Sequence, residues 1–265
     1  MSAAFKDRYG PWALVTGASD GIGRAMAEDL AGRGLNLLLA ARRRELLQHL
    51  ASNLGARHGI ECVPLPADLG AASELSAVIA ATRERPIGLL VAAAGFGTSG
   101  AFLDTELEDE LSQVDVNCRA VLALCKALAP GMVARGRGGM ILLSSIVAFQ
   151  GVPRASNYSA TKAYVQSLAE GLASELAPFG VDVLASAPGP VASGFARRAG
   201  MRLGATVSAQ TVARETIDAL GKRRLVRPGL LSKLLGYSLA TAPRALRVNI
   251  MRNIMAGMTN RERSS

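Results

Sequence analysis

The sequence predicts an α/β fold: a doubly wound, mainly parallel sheet of about seven strands flanked by helices. Three observations predict it. Short runs rich in Val, Ile and Leu recur along the whole chain, and each is followed by a stretch long enough for a helix. The runs are nearly continuous in apolar residues rather than alternating, which suits strands buried on both faces. Strand–helix alternation implies parallel neighbours joined by right-handed crossovers.

The strand runs fall at residues 12–15, 35–40, 61–65, 88–93, 140–144 and 181–187. Helices are predicted over 22–33, stopped by Gly34, and over 156–177, ended by Pro178. No internal repeat or linker divides the 265 residues, so one domain over 1–265 is expected. Hydrophobic residues make up 49% and charged residues 19%, which excludes a disordered chain. No apolar run reaches the ~18 residues of a membrane span, and no signal-peptide core precedes the first strand.

Composition also narrows the chemistry. Cys62, Cys118 and Cys125 form no CxxC and are odd in number, so buried free thiols in a reducing, cytoplasmic compartment are expected. His49 and His58 are the only histidines and stand in a polar stretch, which argues against a histidine-based metal site or a Ser–His–Asp triad. The net charge of +9 raises nucleic acid as a partner. The basic residues are dispersed and aromatics are 4%, so a phosphorylated cofactor or solubility accounts for the charge instead.

Ligands in such folds bind beyond the carboxyl ends of the strands. The first strand runs into Thr16-Gly17-Ala18-Ser19-Asp20-Gly21-Ile22-Gly23. Glycines there allow a tight turn and close approach of a phosphate. The following helix offers free N–H groups and partial positive charge to a pyrophosphate. Gly17, Ser19, Asp20, Gly21, Ile22 and Gly23 are therefore cofactor-binding candidates. The second strand ends Ala40-Ala41-Arg42-Arg43-Arg44 with no carboxylate. Guanidinium groups grip a phosphate with paired hydrogen bonds, and arginines suit a helix start poorly. Arg42 therefore points to a 2′-phosphate, and to NADP(H) over NAD(H).

Tyr158 and Lys162 stand at i and i+4 of the 156–177 helix and share one face. A tyrosine titrates near ~10 and is a poor acid–base at neutral pH. A neighbouring ammonium stabilises its phenolate and lowers that value. The pair could thus move a proton without a histidine.

The turn TGxxxGxG and the pair YxxxK resemble the short-chain dehydrogenase/reductase family, built on the Rossmann fold. Ser145, thirteen positions before Tyr158, matches the family's serine, and Asn117 in "VDVNCRA" its asparagine. The resemblance implies a hydride transfer between nicotinamide and a carbonyl or secondary alcohol. It implies Tyr158 as proton donor or acceptor, and Lys162 as the group that lowers its pKa and binds the nicotinamide ribose. It implies Ser145 as a ligand of the substrate oxygen and Asn117 as the holder of a relay water. It further implies that Asp68, followed by Leu69, meets the adenine. Ala94 and Gly95 flank the cofactor, in an AAAG where relatives carry NNAG and two bracing amides. Pro188, Gly189, Val191 and Ser193 match the segment that contacts the nicotinamide amide.

Substrate contacts are expected from loops after the strands, with Phe96, Phe149, Val152 and Phe195 as apolar candidates beside Ser145 and Tyr158. Residues 190–204 read as a substrate lid, and 225–265 as a helical extension. In that tail Ile250, Met251, Ile254, Met255 and Met258 share one helical face. Three roles compete for it: packing over the site or at a subunit contact, lying on a membrane surface, or binding a partner protein. The tail resembles bacterial members grouped with DltE-like dehydrogenases. Relatives are dimers or tetramers, so a homo-oligomer is expected. A catalytically silent NADP-binding regulator on the same fold is the competing functional reading.

Overall fold

The computed structural model describes residues 2–195, 199–200, 204 and 206–259. Its centre is a seven-stranded sheet in the order β3-β2-β1-β4-β5-β6-β7, with every ladder parallel. The strands are β1 Trp12–Thr16, β2 Asn36–Ala41, β3 Cys62–Pro66, β4 Ile87–Ala92, β5 Gly138–Leu143, β6 Val181–Ser186 and β7 Leu225–Val226. The order reverses direction between β1 and β4, which leaves the crevice where such folds bind ligands. β7 was not among the apolar runs; two residues are too short to carry a period.

Each long strand feeds two cores. Ala13, Val15, Leu37, Leu39, Leu89 and Val91 pack on one face, while Leu14, Leu38, Ala40, Leu90 and Ala92 pack on the other. That is why the strands read as unbroken apolar runs. The helices are α1 Ser2–Tyr9, α2 Gly21–Gly32, α3 Arg44–His58, α4 Ala72–Arg83, α5 Leu107–Val114, α6 Ala120–Ala134, α7 Ser156–Glu175, α8 Ala209–Ala219, α9 Leu230–Ala240 and α10 Arg244–Thr259. α2, α3 and α8 cover the first face; α4, α6 and α7 cover the second.

α5 and α6 join through a π-turn, Asp115–Arg119, into one helix from Leu107 to Ala134. That helix is long and apolar enough to cross a bilayer by length and composition, although no single apolar run in the sequence reaches that length. Its apolar residues serve the sheet instead: Val121, Leu124, Cys125, Leu128 and Met132 are buried against the second core. The chain's free thiols are Cys62, Cys118 and Cys125, with Cys125 buried.

Candidate active site

The glycine turn is held from both sides. Gly17 and Gly21 adopt φ of 67° and 52°, the left-handed region that glycine enters freely. A Cβ on Gly23 would stand 2.4 Å from the Gly17 carbonyl oxygen, so the turn can close on α2 only with glycine there. Asp20 caps α2, its Oδ1 accepting from the Gly21 N–H at 2.7 Å. The turn, the start of α2 and the ends of β2 and β3 open on one cleft of about 830 Å³.

The arginines divide their work in a way the sequence did not specify. Arg43 reaches back over the turn, donating to Ser19 Oγ at 3.1 Å and to the Ser19 carbonyl at 3.2 Å, with Asp20 at 3.5 Å. Arg42 leans instead towards Asp68, at 3.8 Å. Both line the cleft. Asp68 also closes its own turn, its Oδ1 accepting from the Gly70 N–H at 2.9 Å. Leu69 is buried and lines the same end.

The missing amides after β4 have a substitute. Thr16 Oγ1, at the end of β1, accepts from the Ala93 and Ala94 N–H groups at 3.1 and 3.0 Å. One hydroxyl thus braces the two central strands where this chain has alanines. The sequence signal was present, a Thr ending β1 beside an AAAG, but the pairing needed the sheet order.

The proton-handling groups gather at the other end. Asn117 sits in the π-turn, buried at 1% exposure. Its Oδ1 accepts from the Phe96 N–H at 3.1 Å, and its Nδ2 donates to the Phe96 carbonyl at 2.9 Å and to Thr161 Oγ1 at 3.0 Å. A Cβ on Gly95 would lie 3.0 Å from Asn117 Oδ1 and 3.3 Å from Lys162 Nζ, so Gly95 stands against both. Lys162 is buried and donates to the Leu143 carbonyl at 2.7 Å, its Nζ 5.8 Å from the centre of the Tyr158 ring. Ser145 lies just past β5 and caps the 3-10 turn Ile146–Phe149, accepting from the Val147 N–H at 3.4 Å.

Burial governs how the pair titrates. It pushes the Tyr158 phenol up to about 12, opposed by a hydrogen bond with Ser145. It pulls the Lys162 ammonium down to about 8. The i, i+4 spacing by itself predicts that Lys162 draws the tyrosine down. Here the direction at Tyr158 is upward, because loss of water penalises the phenolate.

The substrate candidates separate. Phe96, Val152 and Phe195 line the cleft with Tyr158. The Phe195 and Tyr158 rings lie 5.3 Å apart, tilted by 48°. Phe149 does not line it: the short 3-10 turn Ile146–Phe149 carries its ring under the Arg227 guanidinium, at 4.7 Å. Of the lid, Val191 bridges to Val207, and Ser193, Gly194 and Gly204 border the cleft, while 196–198 and 201–203 lie outside the described residues. Pro188 and Gly189 also border it. Sequence reasoning missed Ser232, fully buried on α9, whose Oγ accepts from the Gly189 N–H at 2.7 Å. The tail helix α10 closes the far end with Met251, Ile254, Met255 and Met258.

The family model described as short chain dehydrogenase matches residues 11–202. The chain belongs to the short-chain dehydrogenase family. A very-long-chain 3-oxoacyl-CoA reductase of Podospora anserina is 37% identical over 184 residues, which are 66% of this chain and 53% of that protein. The inactive hydroxysteroid dehydrogenase-like protein 1 of Homo sapiens is 35% identical over 189 residues, 70% of this chain and 57% of its own length. The chain therefore spans little more than half the length of these curated relatives. Among solved structures, a short-chain dehydrogenase from Sphingobium yanoikuyae in complex with NADPH superimposes with a TM-score of 0.79 at 32% identity, covering 89% of this chain and 98% of that one. A 7beta-hydroxysteroid dehydrogenase superimposes with a TM-score of 0.86 at 25% identity, covering 93% and 98%. In this short-chain dehydrogenase, the glycine turn, the serine, the tyrosine and the lysine all face one cleft.

Proposed function

We propose that this protein is an NADP(H)-dependent oxidoreductase acting on a carbonyl or secondary alcohol, with Tyr158 moving the proton. The observation that carries the reading is the convergence of Tyr158, Ser145 and Lys162 on the cleft that also contains the glycine turn. The residues fit a dinucleotide. Gly17 and Gly21, at positive φ, shape the turn before the α2 N-terminus, where free N–H groups suit a pyrophosphate, and Arg42 and Arg43 line the same cleft with guanidinium groups suited to a 2′-phosphate. The NADPH complex of the Sphingobium relative supports a nicotinamide cofactor. When bound, the nicotinamide supplies or accepts the hydride.

This chain's own groups do the rest. Ser145 holds the substrate oxygen and stabilises charge developing on it. Tyr158, kept protonated by burial, donates its proton to that oxygen in reduction. Lys162 would hold the cofactor ribose, and Asn117 would position the water of a proton relay towards Lys162. Tyr158→Phe is expected to lower turnover by at least ~100-fold while NADPH affinity holds. NADPH oxidation against a panel of ketones and aldehydes, with a fluorescence titration of NADPH, checks both; unchanged turnover overturns the assignment. NADPH is expected to bind more tightly than NADH, and Arg42→Ala and Arg43→Ala each to weaken NADPH roughly ten-fold. Tighter binding of NADH overturns the preference.

Several similar proteins are named inactive hydroxysteroid dehydrogenase-like protein 1, which favours a silent NADP-binding regulator as the second reading. Tyr158 in contact with Ser145 weighs against it. Tight NADPH binding with no turnover on any carbonyl would favour the regulator.

A further inference from the structure

We propose that the C-terminal helices α9 and α10 are the specificity element of the cleft, and that they select an uncharged compound with an apolar body about 10 Å long. The proposal rests on the oxidoreductase reading above and names its substrate class.

The cleft is divided by charge. Asp20, Arg42, Arg43 and Asp68 all stand at the glycine-turn end, and Lys162 lies under the catalytic group. Past Tyr158 the lining changes to Val152 and Ala155 on one side and Met251, Met255 and Met258 on the other. Among the described lining residues there, no side chain is charged, and the hydroxyls of Ser145 and Tyr158 are committed to the reacting oxygen. A carboxylate or ammonium at this end would lose its water and gain no charged partner among the described lining residues.

The roof has a length. Met251, Met255 and Met258 fall at i, i+4 and i+7 on α10 and so share a face. Seven residues of helix run about 10 Å. Methionine is flexible and polarisable, so such a roof accepts apolar bodies of varied shape better than it rejects them. It discriminates against charge.

A second observation ties this roof to the reaction centre. α9 contributes Leu231 and Leu235 to the lining, and between them Ser232 accepts from the Gly189 N–H at 2.7 Å. A Cβ on Gly189 would stand 2.8 Å from Ser232 Oγ, so the contact is close-fitted. α9, which lines the cleft together with α10, thus also fixes the Pro188–Gly189 segment that borders it.

The test uses two probes of equal length, 2-nonanone and 8-oxononanoate, which differ in a terminal methyl against a carboxylate. Calorimetry on the full chain with saturating NADP+ should show 2-nonanone binding at least about ten-fold more tightly, a difference of about 1.4 kcal/mol. In Met255→Lys the preference should shrink or reverse by about ten-fold, with NADP+ affinity within about two-fold of wild type. Equal affinities in the wild type, or no binding of either probe, overturn the proposal whether or not the variant folds. A wild-type preference unmoved by Met255→Lys removes α10 as its source. Turnover is read separately as NADPH oxidation. Selective binding without turnover defeats the oxidoreductase reading and leaves the selection rule standing; turnover without selectivity does the reverse.

Discussion

Tyr158 and Lys162 are moved in opposite directions by the same cause. Burial holds the phenol at about 12 and the ammonium at about 8, so both favour their neutral forms. The lysine shift has a stability consequence. The folded value lies below the unfolded one of 10.5, so between about pH 8 and 10.5 the unfolded chain binds more protons. The lysine's contribution to stability therefore rises with pH through that window as the penalty of burying its charge is relieved. Cys62, Cys118 and Cys125 are raised to about 11, 11 and 12, and act in the opposite sense above the ordinary thiol range. The difference between wild type and Lys162→Met isolates the lysine. Denaturant unfolding without added cofactor should show that difference changing with pH between about 8 and 9; a constant difference refutes the assignment.

At the scale of elements, the cleft depends on three joints between chain segments. The π-turn Asp115–Arg119 lets one continuous helix carry Asn117 against the Phe96 backbone. Ser232 joins α9 to the Pro188–Gly189 segment. Thr16 joins the end of β1 to the end of β4. Thr16→Val keeps the volume but leaves two N–H groups without that acceptor, and is expected to cost about 1–3 kcal/mol. Thermal or urea unfolding measures it, and a loss under about 0.5 kcal/mol would mean the brace carries little.

Across the whole molecule, one set of exposed apolar residues lies on the helices α5, α6 and α7. Leu107, Leu111 and Val114 stand at i, i+4 and i+7 of α5 and are exposed, as are Leu122 on α6 and Tyr164 on α7. A homo-oligomer through this face is the proposal. Light scattering should give a multiple of the single-chain mass, and Leu111→Lys should lower it; a wild-type monomer defeats the idea. The C-terminal helices form a second surface, with Leu230, Leu234, Leu246 and Ile254 exposed. Co-sedimentation with anionic vesicles tests whether that surface meets a membrane.

Periodicity and motif order made much legible from the sequence. Six of the seven strands coincide with apolar runs, because burial on both faces leaves no room for polar alternation. The glycine turn was legible because only glycine accommodates its backbone, and Tyr158 with Lys162 because four residues make about one helical turn. What stayed hidden depends on distance through space. No local signal says that Arg43 folds back on Ser19 while Arg42 turns to Asp68, since the boundary between β2 and α3 decides it. Phe149 read as a substrate contact until a short helical turn carried its ring under Arg227. The methionine face of the tail was visible as a stripe, but not what it covers. Only the tertiary structure brings residues 251–258 over Tyr158, because such long-range contacts depend on which surface is left uncovered once the sheet is built.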